Sequence, residues 1–459
     1  LQKDQQEQYV TDGIQALMAW VHGAIPQPLP DAVARKTAMV MADNIAAIVA
    51  ARDEPEVRKV HEQAVADGGR AEATIFRGAG HRTDRINAAL ANGIAGSWCE
   101  LDEGYRLAPC HAGLYTLPAV LAEAEVLGLT VEQTMRVAAL AYEVTARFAR
   151  CWVFPQMTLH PHPQTAAIGG AIASGLARGF TVQQLTDAVT AASTLVTVGD
   201  YRHAVDGALV RNVWAAVGCA NGMRAADWAR CGIGGSLRGP YAVYTELLGQ
   251  KPAPEWLSAD LGGAWAITGG YHKMHACCQS THSAVEAMLD ARSKLPAGKT
   301  AASVTRIELD THRPGMSNPT PQTTLAGKFS FEHVISTALA HGHAGQDAFA
   351  ASTLADPLVE GLRHKVTLAK YEPVLPRPHD RPARIRLHLD DGSTVSAECL
   401  SAKGGPDQPW PDEVIVGKIG SITATVYPGL LAPFQSLMAG SPEHLKKSWS
   451  QLLRQFTEN

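Results

Sequence analysis

A chain of 459 residues is too long for one ordinary core and points to two domains, each large enough to be stabilised by burial. Its 40 basic and 44 acidic side chains nearly cancel, at a formal charge of −4, which excludes the electrostatic footprint of a nucleic-acid or anionic-membrane binder. Eight cysteines without a CxxC pair exclude zinc-ribbon and iron–sulfur ligand sets and read as reduced, mostly buried thiols of a cytoplasmic protein; the polar start LQKDQQEQYV and the lack of any apolar run of about 18 residues predict neither signal peptide nor membrane span.

The first half reads as successive helices. Gln8 to Gly23 and Ala32 to Ala51 carry apolar residues at helical spacing, with a break at Pro26 to Pro30. Asp84 to Ser97 is rich in Ala and Gly and suits a closely packed helix. A new helix is expected to begin near Leu117 and Pro118 and to end at Gly128. Val131 to Trp152 follows, entered through Thr130 and Gln133 at capping-box spacing. Met157 to Gly179, Thr181 to Val198 and Arg211 to Cys231 complete the set, with small residues dense enough to let helices approach closely. After Trp265 the composition shifts. Ser303 to His312 alternates as a strand, Phe331 to Gly342 and Asp356 to His364 read as helices, and Lys365 to Ala369 as a strand. Ala383 to Leu389 and Ser393 to Cys399 alternate on both sides of an Asp-Gly turn, a hairpin signal. Helical periodicity resumes from Pro442 to Phe456. The fold class expected is mainly α: an all-α domain at 1–268 and 402–459, with a smaller α+β domain inserted at 269–401.

Three clusters of titratable residues sit at helix ends. The first is the loop with Glu100, Asp102, Glu103, Gly104, Arg106 and His111; the second is His160-Pro161-His162-Pro163; the third is YHKMHACCQSTH, with Lys273, His275, Cys277, Cys278 and His282. Charged groups on loops between apolar helices need a partner, water or a ligand. The bland reading of the first loop is a polar connection whose acids cap the next helix. Three clusters spread over nearly 200 residues point instead to convergence on one cleft lined by His111, His160 and Lys273.

Taken together, the ELDEG loop followed by His111 and Pro118, the HPH…GGA segment from His160 to Ala171, the Arg211-Asn212 pair, the K-x-H-x-x-C-x-x-x-H run from Lys273 to His282 and the FSF element at Phe329 to Phe331 resemble the MmgE/PrpD family. That family includes 2-methylcitrate dehydratase, cis-aconitate decarboxylase and iminodisuccinate epimerase. The resemblance implies a large helical domain with an inserted α+β lid, a homodimer, a small carboxylate substrate, and chemistry without metal or cofactor. Its reactions pass through a carbanion beside a carboxylate, which needs a base near neutral pKa, cations to hold carboxylates and donors for the developing oxyanion. His111, His160 and Asp102 are the expected catalytic residues, and Glu100, Glu103, Arg202, Lys273, His275 and His162 the expected substrate-binding ones.

Two departures from the family pattern stand out. Its acidic loop commonly reads Asp-x-Asp-Asp-Thr, so the hydroxyl is lost at Gly104; and a central lysine of decarboxylase-like members aligns with Arg202, which favours binding over proton donation. The three acids of the loop either pair with Arg106, Arg202 or Lys273, or meet the substrate directly. The expected activity is a lyase acting on a di- or tricarboxylate by dehydration or decarboxylation, with an epimerase or isomerase, or an inactive binding member, as alternatives.

Overall fold

The computed structural model describes residues 3–457. Its centre is the helix His162–Ala177, buried along its whole length. Around it pack the helices Ala112–Leu127, Val131–Cys151, Val182–Ala192 and Trp214–Arg230. The glycines expected to permit close approach do so. A Cβ on Gly170 would lie 2.0 Å from the Cys219 carbonyl oxygen, and one on Gly222 would lie 2.1 Å from that of Ala167. The central helix and Trp214–Arg230 therefore touch backbone to backbone, which a methyl group at either position forbids.

The capping box at Thr130 and Gln133 is present and opens Val131–Cys151. Several helix boundaries differ from expectation, Lys3–Ala24, His162–Ala177 and Val182–Ala192 among them, and two others are instructive. The helix after the acidic loop starts at Ala112 and runs through Pro118, so the proline marks its interior. The lost backbone hydrogen bond is tolerated there because neighbouring helices bury every residue from Ala112 to Glu125. Of the helix expected from Pro442 to Phe456, the described residues are helical from Trp449 onward, in Trp449–Thr457. The preceding turns spend their carbonyls on another helix: Val131 N–H donates to Lys447 at 2.9 Å and Glu132 N–H to Leu445 at 3.0 Å. These bonds satisfy donors that the helix itself leaves open. The helices Pro55–Ala66, Asp412–Thr423 and Leu431–Met438 were not anticipated.

The expected strands form one four-stranded sheet in the order Thr394–Cys399, Ala383–Leu389, Val304–Thr311, Val366–Lys370. The hairpin pairs Val395 with Leu387, and Val304–Thr311 runs parallel to Val366–Lys370. Helix His282–Ser293 packs on the hairpin. Asp412–Thr423 and Leu431–Met438 then return to pack on Asp31–Ala50, beside the helical body.

If backbone contact at Gly170 sets the central packing, Gly170→Ala lowers unfolding free energy by about 1–3 kcal/mol in urea denaturation. Gly23→Ala, where nothing lies within 4 Å of the new methyl, leaves it unchanged or slightly raised.

Candidate active site

Helix Arg85–Trp98, capped by the Asp84 carboxylate accepting from Ile86 and Asn87, delivers the chain to the acidic loop. Glu100 takes a left-handed backbone conformation, φ +53°, which a side chain adopts only when its surroundings fix it. Two residue pairs then stitch this loop to the third cluster: Gly104–Tyr105 pairs antiparallel with Gly270–Tyr271. This contact explains the missing hydroxyl at 104. A Cβ on Gly104 would fall 2.4 Å from the Tyr271 hydroxyl oxygen, so the phenol fills the space a threonine side chain would need.

Two of the three acids of the loop find cations. Glu100 pairs through one oxygen with Arg211 and through the other with Lys273 Nζ at 3.0 Å. Lys273 also lies 3.3 Å from Asp102 Oδ1, and Asp102 Oδ2 lies 2.6 Å from His111 Nδ1. All but His111 are almost completely buried. Burial alone would push both carboxyls up, but the charges of Arg211 and Lys273 outweigh it for Glu100, at about 2, and those of Lys273 and His111 hold Asp102 down as well. Lys273, against its own desolvation, is held above the usual lysine range by Asp102 and Glu100. His111 Nδ1 also lies 3.0 Å from the Glu103 carbonyl. With only acceptors on that side, Nδ1 carries the proton and Nε2 is left to work.

Beside His160, Arg211 also lines the cavity, and His162 lies behind. Arg211 Nε donates to His160 Nε2 at 3.3 Å, and His162 Nδ1 meets the Tyr115 hydroxyl at 2.6 Å. Burial and the Arg211 charge keep His160 well below the ordinary histidine pKa, and burial and His160 do the same for His162. Both rings are neutral at physiological pH.

Glu100, His111 and His160 open onto a cavity of about 210 Å³. The segment after residue 269 completes its wall with Tyr271, Arg313 and Arg381. Arg313 stacks over the Tyr201 ring at 4.4 Å, and among the described residues neither Arg313 nor Arg381 has a carboxylate in ion-pair contact. Arg106 instead binds Asp380 and donates to the Pro378 carbonyl at 3.1 Å, while Arg377 donates to the Leu107 carbonyl at 2.7 Å. The loop that carries His111 is thus latched to the turn that carries Arg381.

The structure sorts the expected residues into four places. His111, His160 and Glu100 line the cavity; Asp102, Glu103, Lys273 and His162 lie beneath that lining. The expectation that Lys273 lines the cleft is corrected, since its ammonium is consumed by Glu100 and Asp102. Arg202 is outside the lining: its side chain is 59% exposed and paired with Asp206 at 2.9 Å, one turn along its own short helix. His275 faces a different cleft, 3.7 Å from Glu286. Arg211 was legible only as half of a motif and Tyr271 only as the first residue of the third cluster, and Arg313 and Arg381 carried no spacing signal at all.

Glu103 has a distinct state. It accepts from the Gly113 N–H at 2.7 Å and the Tyr142 hydroxyl at 3.0 Å, yet burial outweighs both and pushes its carboxyl up to about 8. A carboxyl raised above its ordinary 4.5 favours the fold when protonated, so this group loses stability for the protein as pH rises from about 4.5 through about 8. Glu103→Gln, which keeps an acceptor and removes the charge, therefore gains thermal stability relative to the parent at pH 8 and little at pH 5. Melting curves of both proteins across that range check the sign.

Residues 15–249 match the MmgE/PrpD N-terminal domain and residues 275–430 the MmgE/PrpD C-terminal domain. The chain is 26% identical over 379 residues to cis-aconitate decarboxylase of Aspergillus terreus, across 76% of each protein. It is also 26% identical over 375 residues to cis-aconitate decarboxylase-like protein oryM of Aspergillus oryzae, across 74% of this chain and 76% of that relative. Two domain matches in order, over a helical body whose acidic loop and paired histidine motif meet at one cavity, place this chain in the MmgE/PrpD family.

Proposed function

We propose that the protein is a lyase that acts on a small di- or tricarboxylate, by decarboxylation, with His111 as the proton carrier. The observation that carries this reading is the pairing of a carboxylate-backed histidine with two arginines that have no ion-pair partner among the described residues, all on one cavity of about 210 Å³. An anionic substrate supplies what Arg313 and Arg381 lack, and guanidinium groups grip carboxylates through two parallel hydrogen bonds. Similarity to cis-aconitate decarboxylases favours loss of carbon dioxide over loss of water.

In that reaction the bond to one carboxylate breaks and carbon dioxide leaves. The electron pair stays on the carbon skeleton, delocalised toward a remaining carboxylate held by the arginines. Protonated His111 then delivers its Nε2 proton to carbon and is recharged from solvent. Asp102 acts through His111, by fixing its ring and holding a proton on Nδ1. His160, kept neutral, is an unsuitable acid and serves as a hydrogen-bonding wall beside Arg211. Tyr271, whose hydroxyl is pushed up by burial against the pull of Lys273, keeps its proton and donates from the side where Gly104 leaves room. Residues 269–401 supply Arg313 and Arg381 and act as a lid on the helical body.

The purified protein should release carbon dioxide from cis-aconitate. Water loss from 2-methylcitrate with no carbon dioxide from cis-aconitate would remove the decarboxylase reading and leave a lyase; stereochemical inversion of a substituted dicarboxylate without either would remove the lyase. On the active substrate, His111→Ala should lower kcat at least about a hundredfold. Arg313→Ala or Arg381→Ala should act mainly on KM, raising it about ten- to a hundredfold, the worth of a charged hydrogen bond.

A further inference from the structure

Behind the acidic loop, on the side away from the cavity, lies a second buried charge chain that the proposed chemistry does not use. Lys36 Nζ meets His272 Nε2 at 2.8 Å; His272 Nδ1 meets Asp43 Oδ2 at 2.7 Å; and Asp43 Oδ1 lies 2.6 Å from Lys418 Nζ. Asp43, His272 and Lys418 are all buried. The Lys418 ammonium has two further acceptors, the carbonyls of Leu101 at 3.1 Å and Lys273 at 2.9 Å. The ammonium thus donates to two backbone carbonyls while it stands in ion-pair contact with Asp43. Two of those acceptors are backbone atoms of the segments that carry Asp102 and Lys273, and Leu101 directly follows the strained Glu100.

We propose that Lys418, seated by Asp43 and His272, is the positioning residue of this active site: it fixes the acidic loop against the Lys273 segment, and so fixes Asp102 beneath His111. Helix Asp412–Thr423 supplies this clamp from more than 300 residues downstream of the loop. The inference rests on the proposed role of His111. A misplacement of about 1 Å at such a group costs about a hundredfold in rate, with substrate binding by the arginines left in place.

Removing Lys418 alone would strand the buried Asp43 charge, so the decisive protein is the double variant Lys418→Met/Asp43→Asn, which removes both charges at similar volume. Expected is a folded protein by near-ultraviolet circular dichroism, with kcat down about a hundredfold and KM within about threefold. In Lys418→Ala, ethylammonium, which can reach the gap from the surface cleft that Lys418 also lines, should restore kcat at least about tenfold, and tetramethylammonium, which has no N–H, should not. Parental kcat in the folded double variant, or equal rescue by both cations, overturns the proposal. A crystal structure of the double variant needs no substrate: an Asp102 to His111 separation beyond hydrogen-bond distance supports the clamp, and an unchanged separation overturns it. If the parent protein turns over none of the test carboxylates, that arm alone decides the clamp, and the proposed function fails separately.

Discussion

Everything at this site follows from the cost of burying charge. Two carboxylates, Glu100 and Asp102, sit where burial alone would neutralise them, and they remain ionised because Arg211 and Lys273 are buried with them. Removing any one partner would leave a desolvated charge without compensation, a loss of roughly 3–5 kcal/mol. Such a cluster adds little net stability over an apolar core of the same shape. What it gives is a fixed arrangement: Asp102 is held by Lys273 on one oxygen and so presents the other to His111 in a single pose.

The surrounding helices make that arrangement rigid. Glycine and alanine along His162–Ala177 and Trp214–Arg230 bring the backbones into contact, and His160 stands two residues before the first of these helices, Arg211 three before the second. Side chains placed at the mouths of tightly packed helices have little room to move, so the spacing between His160 and Arg211 is inherited from the packing of the core.

Much of this was legible in the sequence, and the reasons for the rest are physical. The helical body, the hairpin around Asp391-Gly392, the capping box at Thr130 and the acidic loop with His111 are local patterns, written within a few turns of chain. Lys273 was found, but its depth beneath the surface was not, because burial depends on which helices close over it. Arg202 aligned with a family lysine yet sits on a short exposed helix, where Asp206 is within reach. The cavity's cationic side falls to Arg211, Arg313 and Arg381, two of them on irregular segments whose position is set by tertiary contacts alone. Gly104 was read as a lost hydroxyl. Only the pairing of Gly104 with Tyr271 revealed that another hydroxyl occupies the space.

The latch between Arg106 and Asp380 has a consequence for how the cavity can be filled. The turn at 377–381 holds Arg381 in the cavity wall and is tied by Arg106 and by the Leu107 carbonyl to the same loop that ends in His111. That turn cannot swing outward without tugging the histidine's own support. The turn and the loop therefore form one mechanical unit, in which a displacement at Arg381 is felt at His111.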